Sequence, residues 1–520
     1  NWDAVVAPRL GWWEFFKVRA EIDMKSETDR RRFYWAARFW NDANARIYAM
    51  ATSRVEKFAP VAGLDILGTR VNFGPPWLYD YGTQPRGIDA FDFGHYHSVS
   101  LGFNEDWVGS GSLRFPLETN TLLMDWSRAA MRPATPLIGS YITRDADRNT
   151  VKLRTFACLA RNAKIFDFYY YGPAYTFFDH WSDNASMVQG VGELTRDLGA
   201  ADDLLWAGKP PRAEVALLYS RSWPVWKTDD SEQNEQIMTY LALLHAGIPV
   251  DIVSDEDVTS GRFAARKYKA LYVVNESIPS SAASAIERWV RGGGRLWAEG
   301  WAGMKDEYNT PTDAWNALFG VQSRSWKPIG DLKRLGEPIA PADWQRASFA
   351  REVTLQLAPR SAKNRETLST RADGNIAYGR HYGAGWVEVV PWSAGRDYMD
   401  GARETQAQFG HAILYPQDAQ RTVFSGFALG SKAQVPASTS VSQILAWPLW
   451  PQDKTKGGAI LLANYTGEPA AQITVRFASP LKITALRSLR QGALKFTRLD
   501  KAHYSVALPM NDVTDILIVK

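Results

Sequence analysis

Two periodicities alternate along the first 210 residues. Short apolar runs that read as strands are followed by longer segments whose apolar residues recur every three or four positions, the pattern of β/α units around a parallel sheet. The segment TDRRRFYWAARFWNDANARIYAMATSRVEKF carries Phe33, Ala36, Ala37 and Trp40 at helical spacing, with Thr28 as the expected N-cap and Asp29 in the first turn. Strands are predicted at LDILGTRVNF, DAFDFGHYHSV, PLIGSYI and KIFDFYYY. Helices are predicted at TNTLLMDWSRAAM, DRNTVKLRTFACLARNA and ASMVQGVGELTRDLGAADDLL. That makes four clear β/α units, with AVVAPRLG as a possible fifth, whereas a closed barrel needs eight units in about 250 residues. Residues 1–210 therefore read as the C-terminal half of a (β/α)8 TIM barrel, and the missing half is expected upstream or as another chain.

Beyond Pro210-Pro211, a linker signal, the register changes. RAEVALLYS, IPVDIVS, YKALYVVN and GRLWAEG read as buried parallel strands, with EQNEQIMTYLALLHAG, ending at Gly247, and PSSAASAIERWVRGGG as helices between them. This is a doubly wound α/β unit, set at residues 211–420. Its later part, GNIAYGRHYGAGWVEVVPW, reads as two strands joined through a glycine-containing turn, and ARETQAQFGHAIL as a helix. From residue 421 onward short strands dominate, at ILAWPLW, GGAILLANYT, AAQITVRF, ITALRSL, HYSVALP and TDILIVK, the spacing of a small antiparallel β-sandwich over 421–520. The fold class expected is thus α/β multidomain.

Composition narrows the chemistry. At 520 residues the chain exceeds what one core usually organises. Lys+Arg 60 against Asp+Glu 56 leaves a net charge of +4 without a long basic run, which argues against nucleic acid as a partner. No apolar run has the length to span a bilayer, so no membrane partner is expected. The single cysteine, Cys158, reads as a buried helix residue and rules out an intrachain disulfide or a multi-cysteine metal site. Aromatic residues make up 13% of the chain, with 22 tryptophans; aromatic faces pack on the C–H faces of sugars, and tryptophans also fill large cores.

The order of barrel, α/β unit and sandwich resembles glycoside hydrolase family 42, the β-galactosidases with a middle domain that looks like a glutamine amidotransferase and forms trimers. The likeness is carried by ELTRDLGAADDLLWAGKPPRAEVALLYS, LLHAGIPVDIVSDEDV, YKALYVV and WVRGGGRLWAEG, and more weakly by GAILLANYTGEPAAQITVRF with DVTDILIVK. It implies a flavodoxin- or amidotransferase-like middle domain, a homotrimer and a carbohydrate substrate. Amidotransferase chemistry needs a cysteine thiolate, and residues 211–420 contain none, so the middle domain is expected to be structural.

Glycoside hydrolysis usually requires two carboxyl groups flanking the scissile bond, and in a barrel they stand at the C-terminal strand ends. The carboxylates that follow predicted strands are Glu14 in LGWWEFF, Glu105 in FNEDW and Asp145 after PLIGSYIT. Each has an alternative reading as a solvated loop acid. The dipeptide Asn104-Glu105 resembles what related barrel hydrolases carry at the end of strand four. Counting back from KIFDFYYY as strand eight, however, FDFGHYH is strand six, and position four falls to Glu14, preceded by Trp13. The family's nucleophile, a glutamate at the end of strand seven, has no counterpart here: GSYITRD offers Ser140, Tyr141 and Asp145.

Three consequences stay open: another carboxylate completes the pair, the reaction inverts, or the chemistry is not hydrolysis. For the last, Tyr141 and His97 are candidates for acid and base in β-elimination from a uronic-acid sugar, with Arg70 or Arg144 neutralising the carboxylate. Substrate contacts are expected from His95, Trp107, Tyr171, Asp179, His180 and Trp181 together with Trp13. His95 and His97 lack an evident third metal ligand, so neither a metal nor another cofactor is expected. A third reading is a non-catalytic glycan-binding or assembly subunit. The compartment stays open, with export slightly favoured.

Overall fold

The computed structural model describes residues 26–55, 101–105, 116–130, 137–142, 147–168, 183–226, 231–327, 333–334, 337–338, 352–358, 365–370, 374–400, 403–407, 410–414, 435–441 and 443–520. Helix α1 spans Glu27–Val55. Its N-cap is Ser26 rather than the expected Thr28, which lies inside the first turn. The Ser26 hydroxyl accepts the Asp29 N–H at 3.1 Å and donates to the Asp29 carboxylate at 2.5 Å, satisfying one of the turn's free donors.

Three parallel strands follow, each joined to the next by a helix: β1 (Leu101–Glu105), α2 (Pro116–Ala130), β2 (Leu137–Ile142), α3 (Arg148–Leu159) and β3 (Ala163–Phe168), with spatial order β1-β2-β3. Asp147 caps α3 by accepting the Asn149 and Thr150 N–H groups, and Asn184 caps α4 (Ala185–Gly199) by accepting that of Met187. The long helix expected from ASMVQGVGELTRDLGAADDLL is broken at Ala200-Ala201, and α5 (Asp202–Ala207) continues from there. The strand expected at DAFDFGHYHSV lies outside the described residues. The strand paired with β2 is LGFNE, so Asn104 and Glu105 are its last two residues rather than the loop after it.

After the two-residue strand β4 (Gly208–Lys209) comes a seven-stranded mixed sheet. Its strands are β5 (Val215–Tyr219), β6 (Val250–Ser254), β7 (Ala270–Val273), β8 (Arg295–Glu299), β9 (Arg365–Thr370), β10 (Ile376–Tyr382) and β11 (Gly385–Val390), in the order β9-β10-β11-β8-β7-β5-β6. Strand β5 shows why its sequence is an unbroken apolar run: Val215, Leu217 and Tyr219 join one core, while Ala216 and Leu218 join the core on the opposite face. Helix α6 (Ser231–His245) covers the first face, and α7 (Ser280–Arg291) the second. Gly247, with φ +73°, turns the chain after α6 in a conformation that L side chains rarely adopt.

The segment expected as a helix at ARETQAQFGHAIL is instead an antiparallel hairpin, β12 (Arg403–Ala407) and β13 (Gly410–Leu414), with Arg403 opposite Leu414. Its Thr405 and Ile413 suit strands, so cross-strand pairing prevails over a weak helical spacing.

The C-terminal strands form two packed sheets. One runs Ala437–Thr439, Ala470–Ala478, His503–Met510, Phe496–Arg498; the other runs Gly492–Ala493, Leu486–Ser488, Thr514–Val519, Gly458–Asn464, Ile444–Pro451 and finally β4. Their facing residues, among them Ile460, Leu462, Val475, Phe477, Val506 and Leu517, make one core. The pairing Lys209↔Trp450 ties the residues just before Pro210-Pro211 into this sheet. One of these apolar cores links the parts, from Leu122 of α2 and Phe156 of α3 to Leu217, Leu241, Leu449 and Leu461. Each such side chain contributes about 1.5–3 kcal/mol of burial.

Candidate active site

The parallel register of the first sheet brings three residues into one row. Glu105 pairs with Tyr141, and Tyr141 pairs with Asp167. All three lie at the C-terminal ends of their strands, where β/α sheets present their chemistry.

The opposite row identifies which face meets the helices. Ile138, Ser140 and Ile142 are buried, and the Cys158 thiol of α3 lies 3.4 Å from the Ser140 hydroxyl. Phe166 and Phe168 pack against Ile142, Val151 and Met187. Because successive strand residues alternate between faces, position 167 falls on the side away from α3 and α4, and positions 141 and 105 are the next members of its row. Glu105 and Tyr141 are thus brought together as neighbours, and Asp167, not singled out in the sequence, joins them. Its signal was present: one acid between two phenylalanines in an otherwise apolar strand, at the period of two that alternates faces. In the same run, only Tyr171 was expected at the site.

Ser140, by contrast, belongs to the helix-facing row and is taken up by packing. Glu14, Trp13, His95, His97, Trp107, Asp145, Tyr171, Asp179, His180 and Trp181 lie outside the described residues, as do Arg70 and Arg144. Among the described residues, no group of three or more His, Cys, Asp or Glu side chains gathers to hold a metal ion, and no helix is long and apolar enough to cross a membrane.

At the other end of β3, the Lys164 ammonium donates to the carbonyls of Leu205 and, at 2.8 Å, Gly208. Burial, reinforced by nearby Lys209, pushes its pKa down to about 8. This lysine anchors β3 to α5 and β4; it is not at the strand ends that carry the row.

A second polar concentration lies at the C-terminal edge of the seven-stranded sheet, where an amidotransferase would carry its nucleophile. Here the Ser220 hydroxyl donates to the Ser277 carbonyl at 2.7 Å, and the Arg221 N–H donates to Asp255 at 3.3 Å. Lys305 pairs with Glu276 at 2.9 Å. Glu299 and Glu235 accept the N–H groups of Ala394 and Gly395 at 3.1 and 2.9 Å. Burial raises the Glu235 pKa, against the lowering effect of its hydrogen bonds to Glu299 and Gly395. Helix α1 lies over this edge, with the Tyr34 hydroxyl 3.5 Å from Ser222 and Phe33 packed on Trp226 at 5.2 Å. These groups are engaged with one another, and α1 covers the edge.

No family model matches the sequence, and no curated protein is similar to it at the sequence level. Solved structures are similar in fold. The β-galactosidase of Bacillus circulans sp. alkalophilus superposes with TM-score 0.61 over 96% of this chain and 68% of its own, at 12% identity. The family 42 β-galactosidase Gan42B of G. stearothermophilus gives 0.62 over 100% of this chain and 72% of its own, also at 12% identity. An exo-carrageenase of family 42 from Bacteroides ovatus gives 0.54 over 94% of this chain and 56% of its own, at 11% identity. The chain has the mixed α/β fold of the family 42 glycoside hydrolases, and these structural neighbours are glycoside hydrolases.

Proposed function

We propose that this chain belongs to a carbohydrate-active enzyme that hydrolyses glycosidic bonds in a galactose-containing glycan, with the active site at the strand ends carrying Glu105, Tyr141 and Asp167. The observation that supports this most is the register itself: in a fold shared with glycoside hydrolases, two carboxylic acids and a tyrosine stand in one row at the end of a parallel sheet. Glu105 is assigned as the proton donor to the leaving oxygen, because the oxocarbenium-like transition state needs the departing alkoxide protonated. The galactose assignment draws on the β-galactosidase and carrageenase neighbours.

The sheet β1-β2-β3 is proposed as the C-terminal part of a TIM barrel that an upstream segment or a second chain completes. The boundaries near 210 and 420 are retained in the same sense. The seven-stranded unit is proposed as a structural domain and a trimer contact; its filled polar edge supports the structural role.

A second reading has one observation in its favour. Tyr141, in the centre of the row, is the residue type a lyase uses to abstract and return a proton in β-elimination from a uronic acid. A screen of the full-length protein against neutral galactans, carrageenan and uronic-acid polysaccharides, following reducing ends and ultraviolet absorbance together, separates the two. Reducing ends without absorbance, abolished in Glu105→Gln, support hydrolysis. Absorbance at the unsaturated product's wavelength sinks the hydrolase reading and moves the chemistry to Tyr141. Sugar binding with neither product points to a non-catalytic subunit.

A further inference from the structure

We infer that one face of the seven-stranded sheet, at His381, Trp386, Glu388 and Arg295, is a second, non-catalytic sugar site that holds a neutral galactose-type unit of the glycan. The choice of galactose rests on the hydrolase reading above; the site itself rests on this sheet alone.

Cross-strand pairing sets the residues in two neighbouring rows on one face. Glu366, Gly379, Glu388 and Trp297 stand level across β9, β10, β11 and β8, and His381, Trp386 and Arg295 stand level across β10, β11 and β8. Tyr378, Val387, Val389 and Leu296, which alternate with them, belong to the core on the opposite face. On the rows' own face Trp297 and Val390 join a core, but Trp386 and Arg295 are only half-buried, and His381 and Glu366 are exposed.

Two features point to a ligand. The first is an aromatic platform. Glycine weakens a strand, yet Gly379 stands in the middle of β10, and a Cβ there would run into the Trp386 ring. The indole therefore lies against the sheet backbone, with the His381 ring edge-on to it at 4.8 Å, and such rings pack on the C–H face of a pyranose. The second is unused hydrogen-bonding capacity. Glu388 is 2% exposed; one carboxyl oxygen accepts the Trp386 indole N–H at 2.6 Å and faces Arg295 at 3.6 Å, whereas the other has no partner, and neither has the buried Nε of Arg295.

Chemistry selects the sugar. Burial lifts the Glu388 pKa to about 8, against the Trp386 hydrogen bond and nearby Arg295, so at neutral pH this carboxyl is mainly uncharged and can both donate to and accept from a hydroxyl. The Arg295 charge is offset by Glu366 in the adjoining row, so the face suits a neutral unit rather than a sulfated or uronic one.

The test titrates the full-length protein calorimetrically with a thio-linked galacto-oligosaccharide, a linkage that glycosidases do not cleave, and records thermal midpoints alongside. Trp386→Ala and Glu388→Leu are each expected to raise the Kd of one binding event by about tenfold or more, whereas Glu388→Gln, whose amide donates and accepts like the neutral acid, stays within about threefold. Turnover of 4-nitrophenyl β-D-galactopyranoside is expected to stay within about twofold of wild type in all three variants. Wild-type affinity in both Trp386→Ala and Glu388→Leu overturns the site while the hydrolase reading stands. A changed oligomeric state in Trp386→Ala also overturns it, because the face is then a subunit contact. The expected pattern of binding, with no turnover of any galactan by the wild-type protein, keeps the site and sinks the hydrolase reading.

Discussion

Lys152 is the sharpest test of how the parts are held together. Its ammonium is fully buried in α3, at 2.7 and 2.9 Å from the two oxygens of Asp512 and 3.3 Å from Glu193. Arg148 binds the same two acids at 3.1 and 2.7 Å, and Arg490 reaches Asp512 at 3.4 Å and also pairs with Asp197. Asp512 sits in the turn between His503–Met510 and Thr514–Val519, so the network joins the first α/β layers to the C-terminal sheets across 360 residues. Burial raises the Glu193 pKa, but hydrogen bonds from Arg148, Gln189 and Lys152 overcome this and hold it down at about 2.

Replacing Lys152 by Met keeps the bulk and removes the cation. Removing one partner of a buried pair costs about 3–5 kcal/mol. Arg148 and Arg490, 30% and 27% exposed, continue to compensate both acids, which reduces the expected loss to about 2–3 kcal/mol. Calorimetric and urea unfolding should show that loss, and adding Asp512→Asn should restore part of it, with a coupling of about 1 kcal/mol or more. A single variant within about 0.5 kcal/mol of wild type, or a pair whose effects simply add, refutes the reasoning: the network would then stabilise nothing beyond its own desolvation.

Other outcomes follow from single sites. Glu388 receives the Trp386 indole N–H at 2.6 Å and has Arg295 at 3.6 Å, yet burial lifts its pKa to about 8, with Tyr272 and Glu366 also nearby. Its raised folded pKa means a contribution fully present below about pH 4.5 and lost as pH rises through 8, at most about 5 kcal/mol; Glu388→Gln should flatten that part of the stability–pH curve. A Cβ at Gly385 would run into the backbone carbonyls of Val290 and Gly294, so Gly385→Ala should destabilise the protein by about 2 kcal/mol or more in urea melts; an unchanged midpoint contradicts the packing of β11 on α7. The buried Cys158 thiol should resist an aromatic disulfide reagent in the native protein and react, one thiol per chain, on unfolding; rapid native labelling contradicts the seating of α3 on β2.

Much of the architecture was legible because it is encoded over short windows. The apolar runs at Val215–Tyr219 and Ala270–Val273, the helical spacing in α1, α3, α6 and α7, and the glycine after α6 depend on periods and backbone preferences that act within a few residues. The site was less legible. A row across three strands depends on register, and register is a relation between segments about 30 residues apart; a strand predicted at 89–99 separates Glu105 from its row, whereas the observed strand ends on it. Asp167 was overlooked because the aromatic residues around it dominate the local pattern, and its meaning comes only from the residues beside it on β2 and β1.

By itself, then, the sequence determined the alternation of β/α units, the doubly wound stretch, the strand-rich C-terminus, and the absence of cysteine chemistry from residues 211–420. Tertiary structure alone decided that Arg403–Leu414 pairs as a hairpin, that Gly208–Lys209 adds a strand to a sheet built mostly from residues beyond 440, that Lys152 finds Asp512, and that positions 105, 141 and 167 stand level. The physical reason is common to all four. Hydrogen-bonded strand pairing and buried charge compensation are satisfied by whichever distant partner the packed core brings within reach, and no local window contains that partner.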